Sequence, residues 1–217
     1  MLQACHYFGI ELRHARCTFP EQSVDLGHVR RLIDSNTVAL VGSAPQYATG
    51  TIDPIEALSE IAISNRIGLH VDCCLGGFLV PFIEKAGLAS PHAFDFRVKG
   101  VTSISCDPHK YGFSPKGASV VLFRSIELRH YMYTFATQWS GGIYATPTML
   151  GSRPGGPVAG TWAAMMIHGE AGYIDSTRRI VSAARAIAAA IPSIGELELI
   201  GRCLLYTSDA ADEEDSV

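Results

Sequence analysis

The stretch Ser103-Ile104-Ser105-Cys106-Asp107-Pro108-His109-Lys110 closes an apolar run on a histidine and a lysine. An earlier run, Leu69-His70-Val71-Asp72, ends on an aspartate and is followed by Cys73-Cys74-Leu75-Gly76-Gly77. Both have the length and composition of strands in a sheet covered on two sides. Outward from them, strand and helix signals alternate. Residues 10–15 alternate apolar and polar side chains, as a half-buried strand does, and residues 38–41 form a short apolar run suited to a parallel strand. Residues 25–33 place Leu26, Val29, Leu32 and Ile33 at helical spacing. Asp53-Pro54-Ile55-Glu56 predicts a helix start, with Asp53 as N-cap, Pro54 first and Glu56 third. That helix turns Leu58, Ile61 and Ala62 inward and ends between Asn65 and Gly68.

Further strands are expected at 101–106, 119–123 and 195–200, and helices at 161–168 and 173–190, closed by Pro192. The first residues read as mid-helix, with Leu2, Cys5 and Phe8 on one side and no cap before them, which suggests a truncated start. No internal repeat is visible. The alternation predicts an α/β fold with an open, mostly parallel sheet and helices on both faces. Ligands of such sheets sit beyond the carboxyl ends of the strands, where Asp72 and His109-Lys110 both lie.

With 217 residues, 47% hydrophobic and 18% charged, the composition is that of a soluble globular chain. A net charge of -4 and the lack of a basic run give no footprint for nucleic acid. Five of the 21 acidic residues lie in Asp209-Ala210-Ala211-Asp212-Glu213-Glu214-Asp215. From Cys203 the composition changes sharply; residues 203–217 read either as a solvated acidic tail or as translated sequencing-adapter read-through. Six cysteines without a C-x-x-C pair point to buried, reduced thiols rather than a disulfide framework or a zinc site. The amino terminus lacks the basic and apolar regions of a signal peptide, and the uncharged residues 130–152 carry too many Gly, Pro, Gln, Ser and Thr for a membrane span.

A lysine and an aspartate at strand ends are what a pyridoxal phosphate enzyme requires. The lysine amine condenses with the cofactor aldehyde, and the aspartate pairs with the pyridinium nitrogen so that the ring accepts electrons. Taken singly, Lys110 also reads as a surface lysine after a turn, Asp72 as a helix cap and His109 as a hydrogen-bonded structural residue. A dehydrogenase reading lacks the G-x-G-x-x-G turn after the first strand.

Three segments carry a resemblance: residues 70–78, residues 94–117, and Gly141 through Thr146-Pro147-Thr148-Met149-Leu150-Gly151-Ser152-Arg153-Pro154-Gly155-Gly156. In this order they closely resemble the sphingosine-1-phosphate lyase family, and the similarity extends from about residue 4 to 194. The resemblance implies the type I, aspartate-aminotransferase-like pyridoxal phosphate fold. It also implies a homodimer and retro-aldol cleavage of phosphorylated long-chain bases to a fatty aldehyde and phosphoethanolamine. By the same resemblance Lys110 attaches the cofactor, Asp72 faces its ring nitrogen, His109 helps to hold it, and Cys74 packs near the ring face. Lys116 and Ser152 match residues placed at the substrate phosphate. Arg153 suits that phosphate or a structural ion pair; Tyr47 faces the substrate or packs within its loop.

Residues 1–194 are then part of the large domain running into the small one, and 195–217 a carboxyl-terminal remnant. The family's cofactor-phosphate loop and membrane anchor would precede residue 1, so the 217-residue chain alone is expected to be inactive. The parent would sit at the endoplasmic reticulum membrane, its catalytic part facing the cytosol. Cys73 replaces a more usual alanine, and Asp107-Pro108 a more usual Asp-Thr. Pro-His-Lys is also the spelling of the amino-acid decarboxylases of the same fold, which leaves a decarboxylase, or an inactive truncated paralogue, as alternatives.

Overall fold

Four strands form the sheet of the computed structural model, which describes residues 2–88 and 93–200. β1 (Ala39–Ser43), β2 (Gly68–Cys73), β3 (Val101–Cys106) and β4 (Val120–Phe123) lie side by side in chain order. The first three are parallel, and β4 runs antiparallel to β3. Helices α3 (Ile55–Asn65) and α4 (Val80–Lys85) supply the two crossovers that parallel pairing needs; no helix lies between β3 and β4, and the chain returns in the opposite sense. Two short helices, α1 (Leu2–Phe8) and α2 (Leu26–Leu32), precede the sheet. After it come α5 (Ile126–His130), a hairpin of β5 (Thr134–Ala136) and β6 (Tyr144–Thr146), and the long α6 (Gly155–Ala190).

α3 buries Ile55, Leu58, Ile61 and Ala62, the three-four spacing of one helix face, against Leu69, Val71, Val101 and Ile104 of the sheet. Each such side chain contributes about 1.5–3 kcal/mol when fully buried. The helix ends on Arg66 in the left-handed region, whose N–H bonds the carbonyls of Ala62 and Ile63. α6 breaks at Gly169 (φ 55°, ψ -178°), between the two helices expected from the sequence. Beyond the break Tyr173, Thr177 and Val181 form a buried stripe, and Tyr173 stacks on Phe82 of α4 at 5.2 Å.

Three local expectations fail. Asp53 does not cap α3; Pro54 holds that position, while buried Asp53 accepts hydrogen bonds from Ser43 N–H (2.8 Å) and Gln46 Nε2 (2.8 Å). Residues 10–15 and 195–200 form no strand. Near the first there is only a bridge between Cys17 and Val24, because alternation makes a strand only where a neighbour takes up the backbone hydrogen bonds. Among the described residues all cysteines are free, with Cys5, Cys73 and Cys106 buried, Cys74 half-buried and Cys17 exposed. Residues 203–217, and the reading of them as a tail, lie outside the described residues.

Beneath α3 the sheet is apolar. On its opposite side the cross-strand rows are Val41, His70, Ser103, Phe123 and Ser43, Asp72, Ser105, Val121. The polar members of these rows gather toward the carboxyl ends of β2 and β3.

Candidate active site

The chain leaves β2 through Cys74 into a 3-10 turn, Gly76–Phe78, that crosses the ends of β1 and β3. A Cβ on Gly76 would stand 2.0 Å from the Ala44 carbonyl oxygen, and one on Gly77 2.3 Å from Cys106 Cβ. Only glycine permits this approach. The turn therefore closes tightly over the strand ends.

Asp72 is half-buried at the end of β2. Its Oδ1 accepts the Cys74 backbone N–H at 3.0 Å and the Ser105 hydroxyl at 3.3 Å. Ser105 also lies 3.1 Å from His70 Nε2, and His70 Nδ1 lies 2.8 Å from Ser103 Oγ. Burial lowers the His70 pKa, against a smaller upward pull from Asp72, and favours the neutral ring.

Lys110 stands in the turn after β3, where its N–H bonds the Asp107 carbonyl at 3.1 Å. Its Nζ lies 3.0 Å from Asp107 Oδ2, and Ser119 Oγ donates to Asp107 Oδ1 at 2.6 Å. Burial pulls the ammonium's pKa down, but hydrogen bonds to Cys74 and Asp107 outweigh it and leave the pKa above the ordinary lysine value. Burial pushes the Asp107 carboxyl up, yet the Ser119 and Lys110 hydrogen bonds bring it below its usual value. Cys74 thus lies between the two expected residues, its N–H on Asp72 and its thiol toward Lys110.

The turn is clamped from α6. Tyr173 Oη donates to the Gly112 carbonyl at 3.0 Å, and Phe113, in the left-handed region at φ 58°, packs on His168 and Tyr173. His109 is half-buried, its Nδ1 donating to the Ala118 carbonyl at 3.2 Å. Tyr47, Lys116, Ser152 and Arg153 are all exposed, without a hydrogen bond or ion pair among the described residues. Arg153 lines an open cavity of about 740 Å³ together with Tyr7, Phe8, Gly117, Met149 and Leu150. The turn after Lys116 and the 152–157 segment also meet where Gly117 faces Pro157. The structure brings Asp72, Cys74, His109 and Lys110 to one end of the sheet; the four exposed residues are not joined to them by any direct contact.

The sequence reading passed over Asp107, His70 and Ser105. The signal for Asp107 was its place three residues before Lys110 at the start of a turn, where an ion pair forms readily. Together with Cys74 it favours the charged form of Lys110. Asp107→Asn should lower the pH at which the Lys110 amine becomes reactive, read by trapping an aldehyde with borohydride across a pH series and mapping the peptide. An unmoved midpoint would mean that other groups hold the ammonium. The ion pair's stabilising contribution is fully present between the ordinary pKa values of an unfolded aspartate and an unfolded lysine. It fades as pH falls through the folded pKa of Asp107, which is depressed, and as pH rises through that of Lys110, which is elevated.

Among the described residues no group of His, Cys, Asp and Glu is arranged to hold a metal ion, and no helix is long and apolar enough to cross a membrane.

Residues 20–205 match the family model described as the pyridoxal-dependent decarboxylase conserved domain. The chain is 52% identical over 182 residues to the sphingosine-1-phosphate lyase of Saccharomyces cerevisiae, covering 84% of this chain and 31% of that protein. It is 48% identical over 200 residues to that of Arabidopsis thaliana, covering 92% and 36%. The solved structure of a sphingosine-1-phosphate lyase from Burkholderia pseudomallei superposes with a TM-score of 0.89 at 46% identity, over 92% of this chain and 46% of that one. The chain spans about a third of the length of these curated relatives.

Proposed function

The chain belongs to the pyridoxal-dependent decarboxylase family, and we propose that it carries the catalytic strand ends of a pyridoxal phosphate-dependent lyase acting on phosphorylated long-chain bases. The substrates are sphingosine 1-phosphate and sphinganine 1-phosphate, and the products a long-chain aldehyde and phosphoethanolamine. The observation that carries this reading is the meeting of Asp72 and Lys110 across Cys74, in a chain about half identical to sphingosine-1-phosphate lyases.

The residues fit the cofactor. Cys74 N–H and the Ser105 hydroxyl both donate to Asp72 Oδ1, which leaves Oδ2 as the oxygen to meet a ring N–H; the Cys74 thiol also bonds this carboxylate, and Lys110 supplies an amine in the turn after the next strand. When bound, pyridoxal phosphate provides the electron sink that carbon–carbon cleavage needs. Asp72 keeps a proton on the ring nitrogen. Lys110 would hold the cofactor through its aldehyde and would be the group placed to move protons at the reacting carbons. Cys74 and His109 would pack against the ring. Lys116, Ser152 and Arg153 receive the substrate phosphate, and Tyr47 faces the substrate from the loop after β1.

The parent is proposed to be a homodimer. Exposed Trp139, Ile143, Leu150, Trp162, Met166 and Ile167 give it an apolar surface to cover. Residues 1–194 are assigned to the large domain and its junction with the small one. By likeness to the family, the site is the endoplasmic reticulum membrane with the catalytic part in the cytosol.

The test is product analysis on the complete protein: long-chain aldehyde from a phosphorylated base supports the reading, and carbon dioxide from an amino acid with no aldehyde replaces it with a decarboxylase. Lys116→Met should reduce kcat/KM for the phosphorylated base about ten- to a hundredfold, the loss of one charge-assisted hydrogen bond, while cofactor affinity stays close to normal. Equal loss of cofactor affinity would assign Lys116 to the cofactor's phosphate instead.

A further inference from the structure

The pairing of β2 with β3 slips by one residue between Leu69 and His70. Leu69 faces Val101, but His70 faces Ser103 and Asp72 faces Ser105. Thr102 takes up the extra position, its hydroxyl accepting from Leu69 N–H at 3.1 Å and donating to the Leu69 carbonyl at 2.9 Å. An unslipped register would set Thr102 and Ile104 beside His70 and Asp72. The slip instead puts two serine hydroxyls there, and bulges of this kind are common beside active sites.

With a neutral imidazole the protons of this group have one consistent arrangement. Ser105 has a single hydroxyl proton and lies between Asp72 Oδ1 (3.3 Å) and His70 Nε2 (3.1 Å). A carboxylate only accepts, so the Ser105 proton goes to Asp72 and its oxygen accepts from Nε2–H. His70 is then the Nε2–H tautomer, and its Nδ1 accepts from Ser103 at 2.8 Å. A neutral ring suits this arrangement, and burial favours it. A doubly protonated ring would leave Nδ1–H facing a hydroxyl that has to turn away.

We propose that His70 and Ser105 are positioning residues for Asp72, a relay that directs one hydroxyl proton onto Oδ1 and leaves Oδ2 aimed at the cofactor ring nitrogen. A hydroxyl donor on Oδ1 fixes how the carboxylate is turned, so that its other oxygen can meet the ring nitrogen. The inference rests on the cofactor assignment of the preceding subsection but not on the identity of the substrate. Neither residue touches the reacting atoms.

The experiment has two arms. In the 217-residue chain, nitrogen-15 NMR of His70 should report the Nε2–H tautomer; an Nδ1–H or doubly protonated ring at neutral pH overturns the relay. In the complete protein loaded with ring-nitrogen-labelled pyridoxal phosphate, Ser105→Ala should move the ring resonance toward its unprotonated position. It should also lower kcat about ten- to a hundredfold with little change in KM. Ser105→Thr, which keeps the hydroxyl, should restore both, and His70→Phe should shift the resonance in the same direction as Ser105→Ala. Where Ser105→Ala does not fold, His70→Phe and Ser105→Thr carry the test. An unmoved resonance in a folded Ser105→Ala or His70→Phe protein sinks the proposal. A shifted resonance in a protein that releases no aldehyde supports the relay while overturning the substrate reading.

Discussion

Lys110→Ala in the complete protein is expected to abolish turnover, by more than about a thousandfold, and to remove borohydride-stable attachment of the cofactor. On the proposed roles two losses combine: the amine that would anchor the cofactor, and a positioned proton-transfer group of a kind that contributes about 10²–10⁴-fold. No neighbour can substitute. Lys116 lies beyond a turn held by the Tyr173–Gly112 hydrogen bond and by the close approach of Gly112 to Pro108, and Lys99 stands before β3, at the opposite end of the strand. Removing the ammonium also frees Asp107, but Ser119 still donates to that carboxylate, so the strand end should stay intact. Peptide mapping of the reduced wild-type protein should place the label on Lys110 alone; label on another lysine would refute the assignment. Partial recovery of the Ala variant by a small added amine would show that the loss lies in the missing amine and not in misfolding.

The strands that carry Asp72 and Lys110 were legible because each ends an apolar run at an abrupt change of chemistry, and α3 because its buried residues repeat at helical spacing. Asp53 was misread for a physical reason. Its neighbours spell a cap, but a buried carboxylate takes the strongest donors within reach, and those were Ser43 N–H and the Gln46 amide. Residues 10–15 and 195–200 alternate correctly yet have no partner strand among the described residues. Ser105 and His70 were hidden more deeply, since their contact depends on a one-residue register slip that a single sequence does not encode visibly. A signal was nonetheless there: His70 and Asp72, and Ser103 and Ser105, each lie two apart on strands otherwise apolar enough to be buried. The phosphate roles proposed for Lys116, Ser152 and Arg153 rest on resemblance; all three side chains are exposed.

Asp72→Asn should retain the cofactor but lose most turnover, by about 10²–10³-fold, the scale of removing one preorganised electrostatic group. The shape of the site decides which way the new amide turns. Cys74 N–H and Ser105 Oγ–H both donate to the present Oδ1, so the asparagine oxygen must take that place to satisfy them. Its NH₂ group then points where Oδ2 pointed, and a donor meets the ring nitrogen where an acceptor had been. Asparagine would then hold no proton on the ring nitrogen, and the electron sink that the cofactor would supply would be far weaker. Lys110 is untouched, so attachment of the cofactor should persist, while the labelled ring nitrogen should resonate as the free base. Rates near those of the unsubstituted protein would reduce Asp72 to a strand-end residue that satisfies the Cys74 backbone and nothing more.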